Sequence, residues 1–164
     1  MATSLDFEQT YPADPETVMA MLTNPDLIKE KMERTGSMAT TVDVKDSPDG
    51  GFVITTTRVL PSKVPAAAAA FVGETLNVTE VQTWSPAAAD GARSGTVAVD
   101  FGAPITFKGT MHLGPSPDGT VVSSHGDIKA GIPFVGGMIE TGAADQTRKY
   151  LKAEETIGRE FLAR

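Results

Sequence analysis

The chain has no cysteine, two histidines, and aromatic residues at only 6% of its 164 positions. Without cysteine there is no disulfide framework, no thiolate zinc site and no cysteine nucleophile. Positive charge is also short: 14 Lys and Arg stand against 21 Asp and Glu, a formal charge of −7, and the longest basic cluster is the pair Arg148-Lys149. Phosphate backbones are bound by clustered cations and single strands by aromatic platforms, so the composition argues against nucleic acid as a partner. No apolar run approaches the ~20 residues needed to span a bilayer. Residues Met1 to Glu8 have neither the basic start nor the apolar core of a secretory signal. The expectation is a soluble, cytoplasmic protein that does not span a membrane.

What is present is a chain 40% hydrophobic, with Leu, Ile, Val and Phe spread along its length, long enough to bury a core as one domain over residues 1–164. Thr3 to Tyr11 sets Leu5, Phe7 and Gln9 against Ser4, Asp6 and Glu8, the alternation of a strand. Asp14 and Pro15 suit an N-cap and first helical position, opening a short helix through Leu22 that Asn24-Pro25 ends. A second short helix is predicted over Asp26 to Arg34. Strands follow at Met38–Asp46, Phe52–Leu60, Thr75–Trp84, Ser94–Phe101, Ile105–Leu113 and Thr120–Lys129. Ser47-Pro48-Asp49-Gly50-Gly51 and Pro115-Ser116-Pro117-Asp118-Gly119 are turn signals, and the pattern of short strands and tight loops reads as an antiparallel meander.

The C-terminal stretch reads differently. From Ile132-Pro133-Phe134-Val135 to Arg164, apolar residues recur at Val135, Met138, Ile139, Ala143, Tyr150, Leu151, Ile157 and Phe161, one stripe of a long helix. Such a helix is roughly 40 Å long, about the width of a curved sheet, and a sheet curling around it tends to leave a cavity. Between the third and fourth strands, Pro65 before an alanine run and Gly73 after it mark a short helix. It reads either as a lid with Phe71 and Val72 as its inner surface or as a surface crossover rich in helix formers.

Taken together, Thr56-Thr57-Arg58-Val59-Leu60-Pro61, Val72-Gly73, Glu80-Val81-Gln82-Thr83-Trp84, Gly109-Thr110-Met111-His112-Leu113 and Ile132-Pro133-Phe134-Val135-Gly136-Gly137-Met138-Ile139-Glu140 give the chain its likeness to known proteins. In these motifs and in its order of elements it resembles the START-like, or SRPBCC, helix-grip superfamily, and within it an actinobacterial family of unknown function. The resemblance implies an α+β helix-grip fold, an antiparallel β-sheet curved around a long C-terminal helix with two short helices after the first strand. It also implies a cavity between sheet and helix that often takes apolar small molecules. It implies no reaction.

Several residues bear on chemistry. Ser123, His125 and Asp127 share one strand face, but same-face neighbours stand about 7 Å apart along a strand and a hydrolase triad needs hydrogen-bond contact; a solvent-facing polar row explains them. His112 and His125, with Asp127 or Glu80, are the only residues that suggest an ion site, and two surface histidines explain them equally. Arg58 and Glu80 fall on the apolar-rich faces of adjacent strands, where they form either a structural ion pair or a polar anchor, Arg58 holding a ligand carboxylate and Glu80 or Gln82 orienting a hydroxyl. Gly136, Gly137 and Gly142, early in the long helix, allow close packing on the sheet or leave room for a ligand.

The reading that results is non-catalytic binding or carriage of a small, mainly apolar ligand, lipid or polyketide-like. Its expected wall is Trp84, Phe101, Phe107, Met111, Met138 and Ile139, with Arg58 and Glu80 as polar contacts and Phe71 and Val72 as lid. No catalytic residue, cofactor, metal or oligomeric state is assigned. Two other classes remain open: a cyclase- or hydratase-type enzyme, marked by a cavity carboxylate or histidine of shifted pKa, and a protein-interaction module with a filled core, marked by a contiguous exposed apolar patch.

Overall fold

A computed structural model describes residues 2–64 and 66–164. Strand β1 (Thr3–Tyr11) is followed by helices α1 (Pro15–Leu22) and α2 (Pro25–Arg34), then β2 (Ala39–Asp46), β3 (Phe52–Pro61), α3 (Ala66–Val72), β4 (Thr75–Trp84), β5 (Arg93–Asp100), β6 (Ile105–Ser116), β7 (Gly119–Ala130) and α4 (Gly136–Leu162). The strands form one seven-stranded sheet in the order β1-β7-β6-β5-β4-β3-β2, antiparallel throughout. The α+β helix-grip architecture expected from the sequence is the one found.

Local chemistry accounts for most boundaries. The Asp14 carboxylate accepts from the Thr17 N–H at 2.8 Å with Pro15 behind it, as expected. Asn24 both closes α1 and caps α2, its Oδ1 accepting from the Asp26 and Leu27 N–H groups, so α2 begins at Pro25, one residue earlier than predicted. The Pro65 expected to open α3 lies outside the described residues.

Two boundaries depart further from expectation. The β6–β7 hairpin is longer, because Pro115 and Ser116 still pair with Thr120 and Gly119 and only Pro117 and Asp118 form the turn. Glycine is required at 119: φ is 143°, and a Cβ there would lie 2.2 Å from the Tyr11 carbonyl oxygen. The long helix starts at Gly136 rather than at Ile132, because Phe134 sits in the left-handed region at φ 67°, which breaks the run of helical dihedrals.

Alternation sorts the sheet into two faces. Leu5, Ile54, Val78, Val97, Phe107, Met111, Leu113 and Ile128 are buried on the inner face, while Asp6, Glu8, Lys108, His112, His125 and Asp127 are exposed on the outer one. Helix α4 packs against β1 and β7, and α2 packs against β2. No helix among the described residues is long and apolar enough to cross a membrane.

Candidate functional site

Helix α4 meets one side of the sheet closely. At Gly158 a Cβ would lie 2.8 Å from Tyr11 Cε1 and 3.2 Å from Met21 Cε, so only glycine lets the helix come this near. Gln9 Nε2 donates to the Leu151 carbonyl at 2.9 Å, the Thr10 N–H donates to Glu155 at 2.7 Å, and buried Glu140 accepts from the Ala130 N–H at 2.9 Å and the Thr3 hydroxyl at 3.1 Å.

Toward β3–β5 the same helix stands away, and a cavity of about 420 Å³ opens between them. The glycines mark the difference. A Cβ at Gly136 would sit 2.7 Å from the Ala130 carbonyl oxygen, which is close packing, whereas nothing lies within 4 Å of one at Gly137 or Gly142, and Gly142 borders the cavity.

The six residues expected in the wall, Trp84, Phe101, Phe107, Met111, Met138 and Ile139, and the two expected polar contacts, Arg58 and Glu80, border this space. Met138 is 48% exposed at its rim. Phe71 and Val72 do not border it. The Phe71 side chain is 54% exposed and Val72 packs on the hydrophobic core, so α3 does not place them as the inner surface of a lid. The segment before α3 reaches the opening instead, through Pro61, Lys63 and Val64.

The polar end of the cavity is built by register. Ile54 lies opposite Gln82, Thr56 opposite Glu80 and Arg58 opposite Val78, which makes Arg58 and Glu80 diagonal neighbours rather than a facing pair. The Trp84 indole N–H donates to Gln82 Oε1 at 3.1 Å and Gln82 Nε2 donates to Glu80 Oε2 at 2.7 Å, a relay ending on the carboxylate. Arg58 is 8% exposed, its Nη1 is buried without a hydrogen-bond partner among the described residues, and its Cζ lies 4.3 Å from the Tyr150 ring centroid, a cation–π contact.

Burial drives the titration of these groups. It raises the Glu80 pKa, with Arg58 pulling back and Glu154 pushing further up, and the net effect is upward; the surface Glu80 retains faces the cavity. Burial also raises the Tyr150 phenol well above its ordinary value, Glu154 adding to it. For Arg58 burial acts downward, but Tyr150 and Glu80 outweigh it and the guanidinium is held more firmly charged.

Three residues of this cluster escaped the sequence reading as polar participants: Tyr150, Lys31 and Glu154. Lys31 is buried on α2 with its Nζ 3.8 Å from Glu154. A signal existed, since Leu27, Ile28, Lys31 and Met32 share one helical stripe and put a lysine among apolar residues. Likewise Tyr150 and Glu154 are one turn apart on α4.

A second, more open groove is bordered by the outer-face residues Asp6, Glu8, Thr96, His112, Ser123 and His125 together with apolar Phe7, Pro86 and Met111. The His125 imidazole pairs with Asp6 on β1, and that hydrogen bond raises its pKa. Asp127 accepts from Ser4 at 3.1 Å. The row of Ser123, His125 and Asp127 thus pairs across to β1 instead of with itself, and Glu80 is on the opposite face from both histidines. With its charged groups in water, the groove offers weak electrostatics; the inner cavity is where buried charge and apolar wall coincide.

A family model described as a protein of unknown function (DUF2505) matches residues 6–162. Among curated proteins none matches the chain in sequence. Solved structures similar to it include TTHA0849 from Thermus thermophilus, with TM-score 0.66 and 15% identity over 96% of this chain and 95% of that one. A STAR-related lipid transfer protein fragment from Xanthomonas axonopodis gives TM-score 0.59 and 18% identity over 94% and 84%. Ara h 8.0201 gives TM-score 0.53 and 14% identity over 96% and 98%. At these identities the likeness is one of fold, the START-like helix grip.

Proposed function

The chain belongs to the DUF2505 family of proteins of unknown function, and from that premise we propose that it binds a small, mainly apolar ligand in the cavity between α4 and the sheet. One observation carries the reading: an apolar-walled space of about 420 Å³, bordered at one end by the mostly buried guanidinium of Arg58 and the carboxyl of Glu80. Ligand sites combine concave apolar wall with a few polar groups that orient the guest, and packed cores rarely leave voids much larger than a water. A neighbour in fold is a lipid transfer protein, which supports the same class of ligand here.

The test is native mass spectrometry of protein purified from its host, followed by denaturing extraction. A small apolar molecule is expected on the wild type and absent from Gly142→Phe, whose ring would occupy the open space beside α4. That variant should fold at least as well as the wild type, because leaving glycine in a helix gains about 0.5–1 kcal/mol. A wild type that never carries or takes up an apolar molecule, or a Gly142→Phe protein that binds equally, sinks the reading.

A second reading, an enzyme, is favoured by Glu80 alone. A carboxyl whose pKa is raised inside an apolar cavity is equipped for general acid–base chemistry on whatever is bound. Incubating the extracted molecule with wild type and with Glu80→Gln decides it. A product formed only by the wild type makes the protein an enzyme; an unchanged molecule in both makes it a carrier.

A further inference from the structure

The sheet ends in two edge strands, β1 and β2, and they are finished differently. On β1 the Thr10 N–H donates to Glu155 at 2.7 Å and the Thr10 carbonyl accepts from Arg159 Nε at 2.9 Å, so α4 fastens that edge. β1 has no cation of its own, and its exposed positions include Asp6 and Glu8. On β2 only the first residues are engaged from outside the ladder: the Ser37 hydroxyl bonds the Ala39 carbonyl and the Thr40 side chain.

Register shows which backbone groups remain. The Ser47 N–H donates to the Gly51 carbonyl at 2.9 Å, continuing the ladder in which Asp46 lies opposite Phe52. Bonding residues alternate along an antiparallel pair, so Asp43 and Lys45 turn their backbone groups toward β3. Val42, Val44 and Asp46 turn theirs outward, and no hydrogen bond from another described residue reaches them there. Such a row of unpaired N–H and C=O groups is a template for one more strand. None of these residues borders the cavity.

Charge identifies the strand that fits. Two identical strands paired antiparallel share a twofold axis at one residue. With the axis at Asp43 two carboxylates face each other, and at Lys45 two ammonium groups do. With it at Val42, Asp43 meets Thr41 and Lys45 meets Ala39, and no charge is paired. With it at Val44, Asp43 of each copy lies opposite Lys45 of the other, and two half-buried Val44 side chains meet. Facing opposite charges stabilise a strand pair and facing like charges destabilise it. Asp43 and Lys45 already pair within the strand at 3.7 Å, but their side chains are 58% and 73% exposed, so that contact is weak and both groups can turn to a second copy.

We propose that the β2 edge is a self-association surface, on which a second copy of this chain pairs its own β2 antiparallel about a twofold at Val44. The two sheets then run on as one, and the contact closes as a dimer. A strand pair this short gives a small interface, and small interfaces are weak and reversible.

Analytical ultracentrifugation over a concentration series tests it. The wild type should pass from monomer to dimer with a dissociation constant between about 10 μM and 1 mM. Asp43→Lys and Lys45→Asp should each weaken self-association about tenfold or more, since each sets like charges face to face. Asp43→Lys makes the chain less acidic overall, so its loss is not a matter of general repulsion. An equal mixture of the two variants should associate again, because one copy then offers two carboxylates and the other two ammonium groups. Val44→Pro removes the central outward N–H while sparing the bonds to β3, and it should also stay monomeric. A wild type that is monomeric up to about 1 mM overturns the proposal. So do single charge variants that dimerise as tightly as the wild type, or a mixture that associates no better than its components. Growth beyond the dimer would set β2 against another surface, a contact that does not close, and overturns it as well.

Discussion

Helix α4 has two sides, and they treat buried polar groups in opposite ways. On the side facing β1 and β7, each buried carboxylate is saturated: Glu140 holds the Ala130 N–H and the Thr3 hydroxyl, and Glu155 holds the Thr10 N–H and the Lys152 ammonium at 2.7 Å each. On the side facing β3 and β4, Arg58 Nη1 has no hydrogen-bond partner among the described residues, and Glu80 holds the Gln82 amide through Oε2 alone. Saturated groups fix a helix in place, because losing either partner leaves the other buried and unpaired. Unsaturated groups in an apolar cavity do not fix a helix in this way, and under the proposed function they serve a guest. Buried polar groups around one helix are thus saturated where the helix is clamped to the sheet and incompletely bonded where the cavity opens.

The largest way to break this contrast is at the glycines. Gly158→Val on the clamped side forces a side chain into Tyr11 and Met21 and should cost about 1–3 kcal/mol of stability as overpacking, read as a lowered urea midpoint. Gly142→Val, on the cavity side of the same helix, has open space before it and should leave the midpoint unchanged or raised. Equal losses at the two positions would mean that α4 is packed alike on both sides.

Next in size are the two glutamates, which should titrate stability in opposite directions. For Glu155, burial acts upward, but Lys152 and the Thr10 N–H outweigh it and hold the folded pKa below its ordinary value. Its contribution is therefore present above the unfolded pKa and lost as pH falls through the folded one. For Glu80 the folded pKa is raised; its contribution is full below the unfolded pKa and lost as pH rises through the folded one. Glu155→Gln should destabilise by about 1 kcal/mol near neutral pH, with a deficit that shrinks on acidification. Glu80→Gln should stabilise slightly near neutral pH, and that gain should vanish below the ordinary glutamate range. Denaturation of both variants at neutral and mildly acidic pH measures the two slopes, and parallel slopes would defeat the comparison.

The smallest effect belongs to the outer face. Asp6→Asn removes the partner that raises the His125 pKa, so an NMR titration should find that imidazole back toward its ordinary value. The urea midpoint should not move, because both side chains are largely in water and exposed pairs contribute little.

The strands were legible because one face of each is apolar and the other polar, and period two survives in all of them. That is why the inward-facing positions of β3 to β6 could be named from spacing, while the expectation of a cavity between them and α4 came from the resemblance in fold. The start of α4 was not, since nothing about Phe134 as a residue type announces a left-handed backbone. Nor was the clamp at Gly158: a glycine near a helix end reads the same whether it touches a neighbour or not. The role of Tyr150 was hidden by its apolar ring, which counts equally as core stripe and as the cover over Arg58. Lys31 and Glu154 belong to different helices, and only their docking brings them together.

Trp84 is the chain's single tryptophan, and its place in the cavity wall makes it a resident optical reporter. Its indole N–H bonds to Gln82, which bonds to Glu80, so a guest engaging Glu80 is one side chain away from the fluorophore. Occupancy of the cavity should be readable from native emission, without a label and without competing signal from another indole.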